Sequence, residues 1–84
     1  MKFSEQVVVA LKALHPGVRR DIRRALDDLA AGRPRDTASL SGELKGFSRL
    51  RVGRHRVIYR RDKTGEILVE YLAPRRVIYK RFKP

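Results

Sequence analysis

Seven Lys and Arg side chains fall between Lys45 and Arg61, in the stretch KGFSRLRVGRHRVIYRR, with no carboxylate among them. A guanidinium presents a planar fork that matches two phosphate oxygens, so such a run points toward phosphate. Lys45, Arg49, Arg51, Arg54, His55 and Arg56 are the candidates to grip a polyanion here, with nucleic acid the expected one. A second group, Arg75, Arg76 and Tyr79, stands in PRRVIYKRF near the C-terminus. Arg, His and Tyr without acids suit cleavage of RNA by its own 2′-OH. That reaction needs positive charge on the pentacoordinate phosphorane, with a proton acceptor and a donor on either side. Arg fills the first role and fails the second, because a pKa above about 12 keeps it protonated. The proton carrier would be Tyr79, Tyr59 or His55, or a group of the substrate's surroundings, and surrounding positive charge stabilises a phenolate. Each of the three also has a plain structural reading. Tyr59 follows Val57 and Ile58 and reads as core, His55 as an exposed turn residue, and Tyr79 as an anchor for the tail. Arg49 and Arg51 are harder to explain as structure, since neighbouring like charges on a sheet cost free energy unless an anion offsets them.

The composition of the whole chain supports this reading. Its 84 residues carry a formal charge of +12, and 42% of them are apolar, enough for one modest core in a single domain spanning 1–84. The charge is uneven: residues 1–42 hold eight basic and five acidic side chains, whereas 43–84 hold thirteen and four. Solvated faces mix signs and phosphate-binding faces do not. There is no Cys and there are only two His, with no carboxylate at ligand spacing, so neither disulfide nor metal site is expected. No cofactor is expected either, because the Gly42–Gly53 stretch lacks the context of a nucleotide-binding loop. No apolar run approaches the roughly 20 residues of a membrane span, and nothing resembles a signal peptide. The expectation is a cytoplasmic protein without a membrane partner.

The elements that would carry these residues read as α+β, an N-terminal antiparallel helix pair on a small antiparallel sheet. Met1–Phe3 reads as a very short strand and Glu5–Leu14 as a helix capped by Ser4, although the β-branched run Val7–Val9 allows a strand reaching Val9 instead. A second helix starts at Pro16, with Val18, Ile22, Ala25, Leu26 and Leu29 on one face, and stops at Gly32. Its other face offers Arg23–Asp27 and Arg24–Asp28 at pairing distance. Arg33–Gly46 has turn composition, with Leu40 and Leu44 pinning it to the core. Three strands follow: Phe47–Val52, Arg56–Arg61 and Glu66–Leu72, the last interrupted by Pro74. Arg75–Phe82 is either a last short strand or an irregular tail across the sheet.

Several of these segments carry a family signature. Ala13–Ile22 (ALHPGVRRDI), Leu40-Ser41-Gly42, Leu50–Tyr59 (LRVGRHRVIY) and Pro74–Tyr79 (PRRVIY) resemble the RelE–ParE superfamily of type II toxin–antitoxin systems. The resemblance covers most of the chain and implies the RelE-like fold, that of a microbial ribonuclease. It also implies a toxin neutralised by an acidic antitoxin encoded beside it. In the RelE-like branch, the resemblance implies a toxin that enters the ribosome and cuts mRNA without metal. The family's basic pair then falls on Arg49 and Arg51, its next Arg on Arg56, and its C-terminal Arg and Tyr on Arg75 or Arg76 and on Tyr79. RelE-like nucleases often carry Lys in the first pair, which can accept a proton where Arg cannot. The ParE branch shares the fold, inhibits DNA gyrase and does not need the C-terminal set, so Arg75 and Tyr79 favour the ribonuclease. A non-toxic RNA-binding module is a third reading.

Overall fold

The structure, a computed structural model, describes Met1–Pro84. In chain order it contains β1 (Lys2–Phe3), α1 (Glu5–Ala13), α2 (Pro16–Ala30), β2 (Thr37–Ser39), β3 (Ser48–Val52), β4 (His55–Arg61), β5 (Ile67–Pro74) and α3 (Ile78–Arg81). The strands form one sheet in the order β1-β5-β4-β3-β2, antiparallel except for β1, which runs parallel to β5. No helix is long and apolar enough to cross a membrane.

The N-terminus resolves as a short strand followed by a helix. The Ser4 hydroxyl accepts from the Val7 N–H at 3.3 Å, capping α1, and donates to the Glu70 carbonyl at 2.7 Å. Burial of Val7 and Leu11 overrides the weak helix propensity of the valine run, because helices this short are held by packing. Beyond two-residue β1 the edge of β5 would be left open. Gln6 closes it: its amide donates to the Leu72 carbonyl at 2.8 Å and accepts from the Leu72 N–H at 2.9 Å, as a strand residue would.

The α2 helix begins as its sequence indicates, with Pro16 in the first turn and His15 Nδ1 accepting from the Gly17 N–H at 3.0 Å. Its apolar stripe buries Ile22, Ala25, Leu26 and Leu29. The intrahelical pairs Arg23–Asp27 and Arg24–Asp28 do not form. Asp28 instead takes Arg33 and Arg35, each at 2.7 Å, because the chain folds back past Gly32 and brings two guanidiniums to one carboxylate. These two partners hold the Asp28 carboxyl below its ordinary pKa. Arg23 stands over the Phe3 ring at 5.6 Å.

The connector holds an element that its turn composition hides. Thr37–Ser39 pairs with β3 as an edge strand, too short and too polar to show a period of two. The core is also split in a way that composition does not reveal. Both helices cover one sheet face with Leu50, Val57, Tyr59, Ile67, Val69 and Leu72 beneath them. The opposite face carries Ile58, Ala73, Ile78 and Phe82, and it is this smaller cluster that Leu40 and Leu44 join. A β-bulge makes the split. Ile58 faces Tyr71 while Tyr59 faces Val69, so Glu70 is unpaired and the alternation of β5 slips by one. Leu72 therefore joins Ile67 and Val69 under the helices, and Tyr71 and Ala73 turn to the open face.

Pro74 ends β5 rather than interrupting it, and the segment beyond is neither a strand nor an irregular tail. It is a turn leading into α3, whose Ile78 and Phe82, four residues apart, are buried on the open face of the sheet. The Phe82 ring meets Phe47 edge-on at 5.2 Å and Tyr71 at 5.6 Å.

Candidate functional site

The site is built on the hairpin between β3 and β4. Gly53, at φ 57°, leads its two-residue turn, a conformation in which a side chain would be strained. The register then sets Arg51 opposite Arg56 and Arg49 opposite Ile58. Leu50 and Val57 are in the helix-side core, so Arg49, Arg51 and Arg56 emerge on the open face. The C-terminal turn is tied to the hairpin by the Arg75 N–H, which donates to the Arg54 carbonyl at 2.8 Å. The result is a cleft of about 590 Å³ that brings Arg51, Arg54, Arg56, Arg75 and Arg76 together, with Pro74 and Val77 as its wall.

Arg56 is the centre of this arrangement. It is only 6% exposed, yet no ion pair reaches it. Its Nη1 donates to the Gly53 and His55 carbonyls, at 3.0 and 2.9 Å, which locks the guanidinium plane. Nε and Nη2 have no protein acceptor. No fully buried side-chain nitrogen is left unsatisfied, so these two meet the cleft. Burial first, then the charges of Arg51, Arg75 and Arg49, push the Arg56 pKa below the ordinary arginine value, while Tyr79 acts in the opposite direction. The group stays charged at neutral pH, but it is a cation held in an unfavourable place. An anion with two oxygens would relieve that cost.

The remaining candidates divide between the cleft and other places. Tyr79 sits on α3, 45% exposed, while its neighbours Ile78 and Phe82 are buried; it does not line the cleft itself but lies close enough to Arg56 to act on its charge. Tyr59 is buried in the main core beneath the helices, as its apolar neighbours imply. His55 alternates with Arg56 and shares the helix-side register of Val57 and Tyr59. It lines both the cleft and a second depression of about 200 Å³ with Val18, Asp21 and Val52, and burial lowers its pKa below the ordinary histidine value. Lys45 is exposed in the turn before β3 and does not line the cleft. No three His, Cys, Asp or Glu side chains come together as a metal site would require.

One residue at the site escapes sequence reasoning. Asp36 places its carboxylate 3.1 Å from Arg49 and 3.9 Å from Arg51, supplying the anion that these two like charges need. The offset is therefore partly intramolecular. Asp36 lies in the connector, and only the pairing of β2 with β3 brings it here; no local signal marks it.

Fold and site together make this a small, strongly basic α+β domain with an arginine-lined cleft on its open sheet face. The sequence profile of the ParE toxin of type II toxin–antitoxin systems (parDE) matches residues 2–79. The chain belongs to this family, within the RelE/ParE superfamily, and is a toxin of the type II class. Its fold is similar to a chain of the RelB–RelE antitoxin–toxin complex of Methanococcus jannaschii, with 20% identity, TM-score 0.80, and coverage of 99% of this chain and 100% of that one. The archaeal RelE–RelB complex of Pyrococcus horikoshii aligns with 30% identity, TM-score 0.70, and 88% and 91% coverage. The RelBE complex of Mycobacterium tuberculosis aligns with 25% identity, TM-score 0.74, and 88% and 94% coverage. No curated protein matches the sequence.

Proposed function

We propose that this toxin is a ribosome-dependent mRNA endoribonuclease. The observation that carries the reading is the convergence of five guanidiniums on one cleft, with Arg56 buried, unpaired and presenting Nε and Nη2 to it. In the reaction, a substrate 2′-oxygen bonds to the adjacent phosphorus and the P–O5′ bond breaks. The 2′ proton leaves and the 5′ oxygen gains one, giving a 2′,3′-cyclic phosphate and a 5′-OH. Arg56, with Arg75 or Arg76, stabilises the added phosphorane charge, held in place before the reaction begins. Arg51 and Arg49 position the backbone, and Arg54 reaches it from the hairpin tip. Tyr79 is the exposed proton carrier of the set, because Tyr59 is buried and His55, although it lines the cleft, follows the helix-side register of Val57 and Tyr59.

The test is cell-free translation with the purified toxin, followed by mapping of mRNA ends. Cuts at codon positions are expected, lost with Arg56→Ala; arrested translation with intact mRNA would overturn the reading. A second reading is favoured by the family profile itself, which is that of ParE. A gyrase-binding toxin would inhibit DNA supercoiling and leave translation untouched. Membership in a toxin family sets aside the non-toxic RNA-binding module.

We further infer a cognate antitoxin as partner, since the fold relatives are antitoxin–toxin complexes. A formal charge of +12 calls for an acidic one. Co-purification with the product of the adjacent reading frame, and relief of toxicity by it, is the expected result.

A further inference from the structure

The arginine cluster is free of carboxylates with one exception. Asp36 sits at its margin, with Oδ1 3.1 Å from Arg49 Nη1 and Oδ2 3.9 Å from Arg51 Nη1. Its backbone carbonyl accepts from the Arg51 N–H at 2.9 Å, extending the ladder between β2 and β3, and also from Arg49 Nη1 at 3.4 Å. The carboxylate can therefore swing away while the strand edge stays in place. The Asp36 side chain is 53% exposed, that of Arg51 55% and that of Arg49 26%, so water screens the Arg51 pair most and leaves the Arg49 pair the stronger of two weak contacts. Arg51 also lines the cleft, and Arg49 lies close enough to depress the pKa of Arg56.

We propose that Asp36 is a built-in anionic competitor, occupying Arg49 and Arg51 in the free toxin until an RNA phosphate takes its place. This deepens the reading of the cleft as an RNA-phosphate clamp and rests on it. The carboxylate keeps two like charges tolerable on one strand face when no substrate is present. It also subtracts from affinity, because each bound phosphate must first displace a local anion. The trade favours release: a clamp with every guanidinium open would hold any RNA. Asp36 would thus set how weakly the toxin binds RNA away from its proper target.

The test measures binding of a short fluorescent single-stranded RNA, with 2′-deoxy sugars to block cleavage, across a salt series. Asp36→Asn keeps the side-chain shape and removes the charge. It should tighten binding about 2- to 5-fold at low salt. Because one more phosphate contact is made, its log–log salt slope should steepen by about 0.7. Most of the gain should vanish when Asp36→Asn is added to an Arg49→Ala background. Asp27→Asn, an equal change in net charge on α2 away from the cleft, should have a smaller effect. Thermal melts of each variant report the fold. If Asp36 only fastens the edge strand, Asp36→Asn will lower stability and weaken binding together, which overturns the proposal. An equal gain from Asp27→Asn also overturns it, since net charge alone would then explain the effect. If Arg56→Ala weakens binding but Asp36→Asn does not strengthen it, the competitor fails and the clamp stands. If affinity is indifferent to Arg56→Ala, the clamp reading falls and the competitor with it.

Discussion

Replacing Arg56 by Met should make this protein more stable and less active at once. Arg56 is 6% exposed, has no carboxylate partner and is surrounded by Arg49, Arg51 and Arg75. Burying an uncompensated cation costs several kcal/mol even after relaxation, and water reaching Nε and Nη2 through the cleft lowers this to about 3 kcal/mol. Against this stand two hydrogen bonds from one nitrogen, to the carbonyls of Gly53 and His55. Charge-assisted bonds of this kind contribute about 1.5–3 kcal/mol, and water can replace the donor at the exposed Gly53. Met has a similar unbranched length and packs adaptably, so no large cavity is left. The balance favours the variant by about 1 kcal/mol, which raises Tm by about 4–8 °C in a domain of this size. Loss of a preorganised charge at the phosphorane lowers the cleavage rate by about 10²–10³-fold. The assays are a calorimetric melt and mRNA cleavage in a translating extract. A lowered Tm with cleavage intact would refute the reasoning, because Arg56 would then be a structural tie for the hairpin and not a site residue.

Tyr79→Phe should leave Tm unchanged, since the ring is 45% exposed and its hydroxyl makes no protein hydrogen bond, while abolishing cleavage if the phenol carries the proton. Full toxicity of this variant in cells would remove Tyr79 from the mechanism. Phe82→Ala should cost about 3 kcal/mol in urea unfolding, because it empties the contact with Phe47 and Tyr71 that pins α3. Cleavage should fall with it, as Tyr79 is carried by the same helix; unchanged activity would show that α3 does not present the site. Burial depresses the pKa of His55 in the folded state, so the unfolded chain takes up the proton first on acidification. Stability should therefore decline as pH falls through about 6.5 toward the lower folded value, and His55→Gln should flatten that part of the Tm–pH curve.

Local sequence pattern settled α2, the β3–β4 hairpin and which arginines share a strand face. The apolar stripe of α2, the Gly53 turn and the strict alternation Arg49-Leu50-Arg51 are local patterns, and each is written within a few residues. A period of two assigns Arg49 and Arg51 to one face as soon as Leu50 is taken as core. Other features depended on distant partners. The β2 strand is three polar residues that become a strand only because β3 offers an edge. Asp36 becomes part of the site through that same pairing. The bulge at Glu70 shifts Tyr71 and Ala73 to the open face, and with them the apolar seat on which α3 rests. Strict alternation from Ile67 would have turned both residues under the helices. That seat decides that Ile78 and Phe82 point inward and that Tyr79 is left exposed. Local pattern sets which residues can share a strand face, whereas bulges, edge pairings and the docking of a short terminal helix are settled by contacts remote in sequence. The arginines were therefore legible in the chain, and the cleft they make together was not.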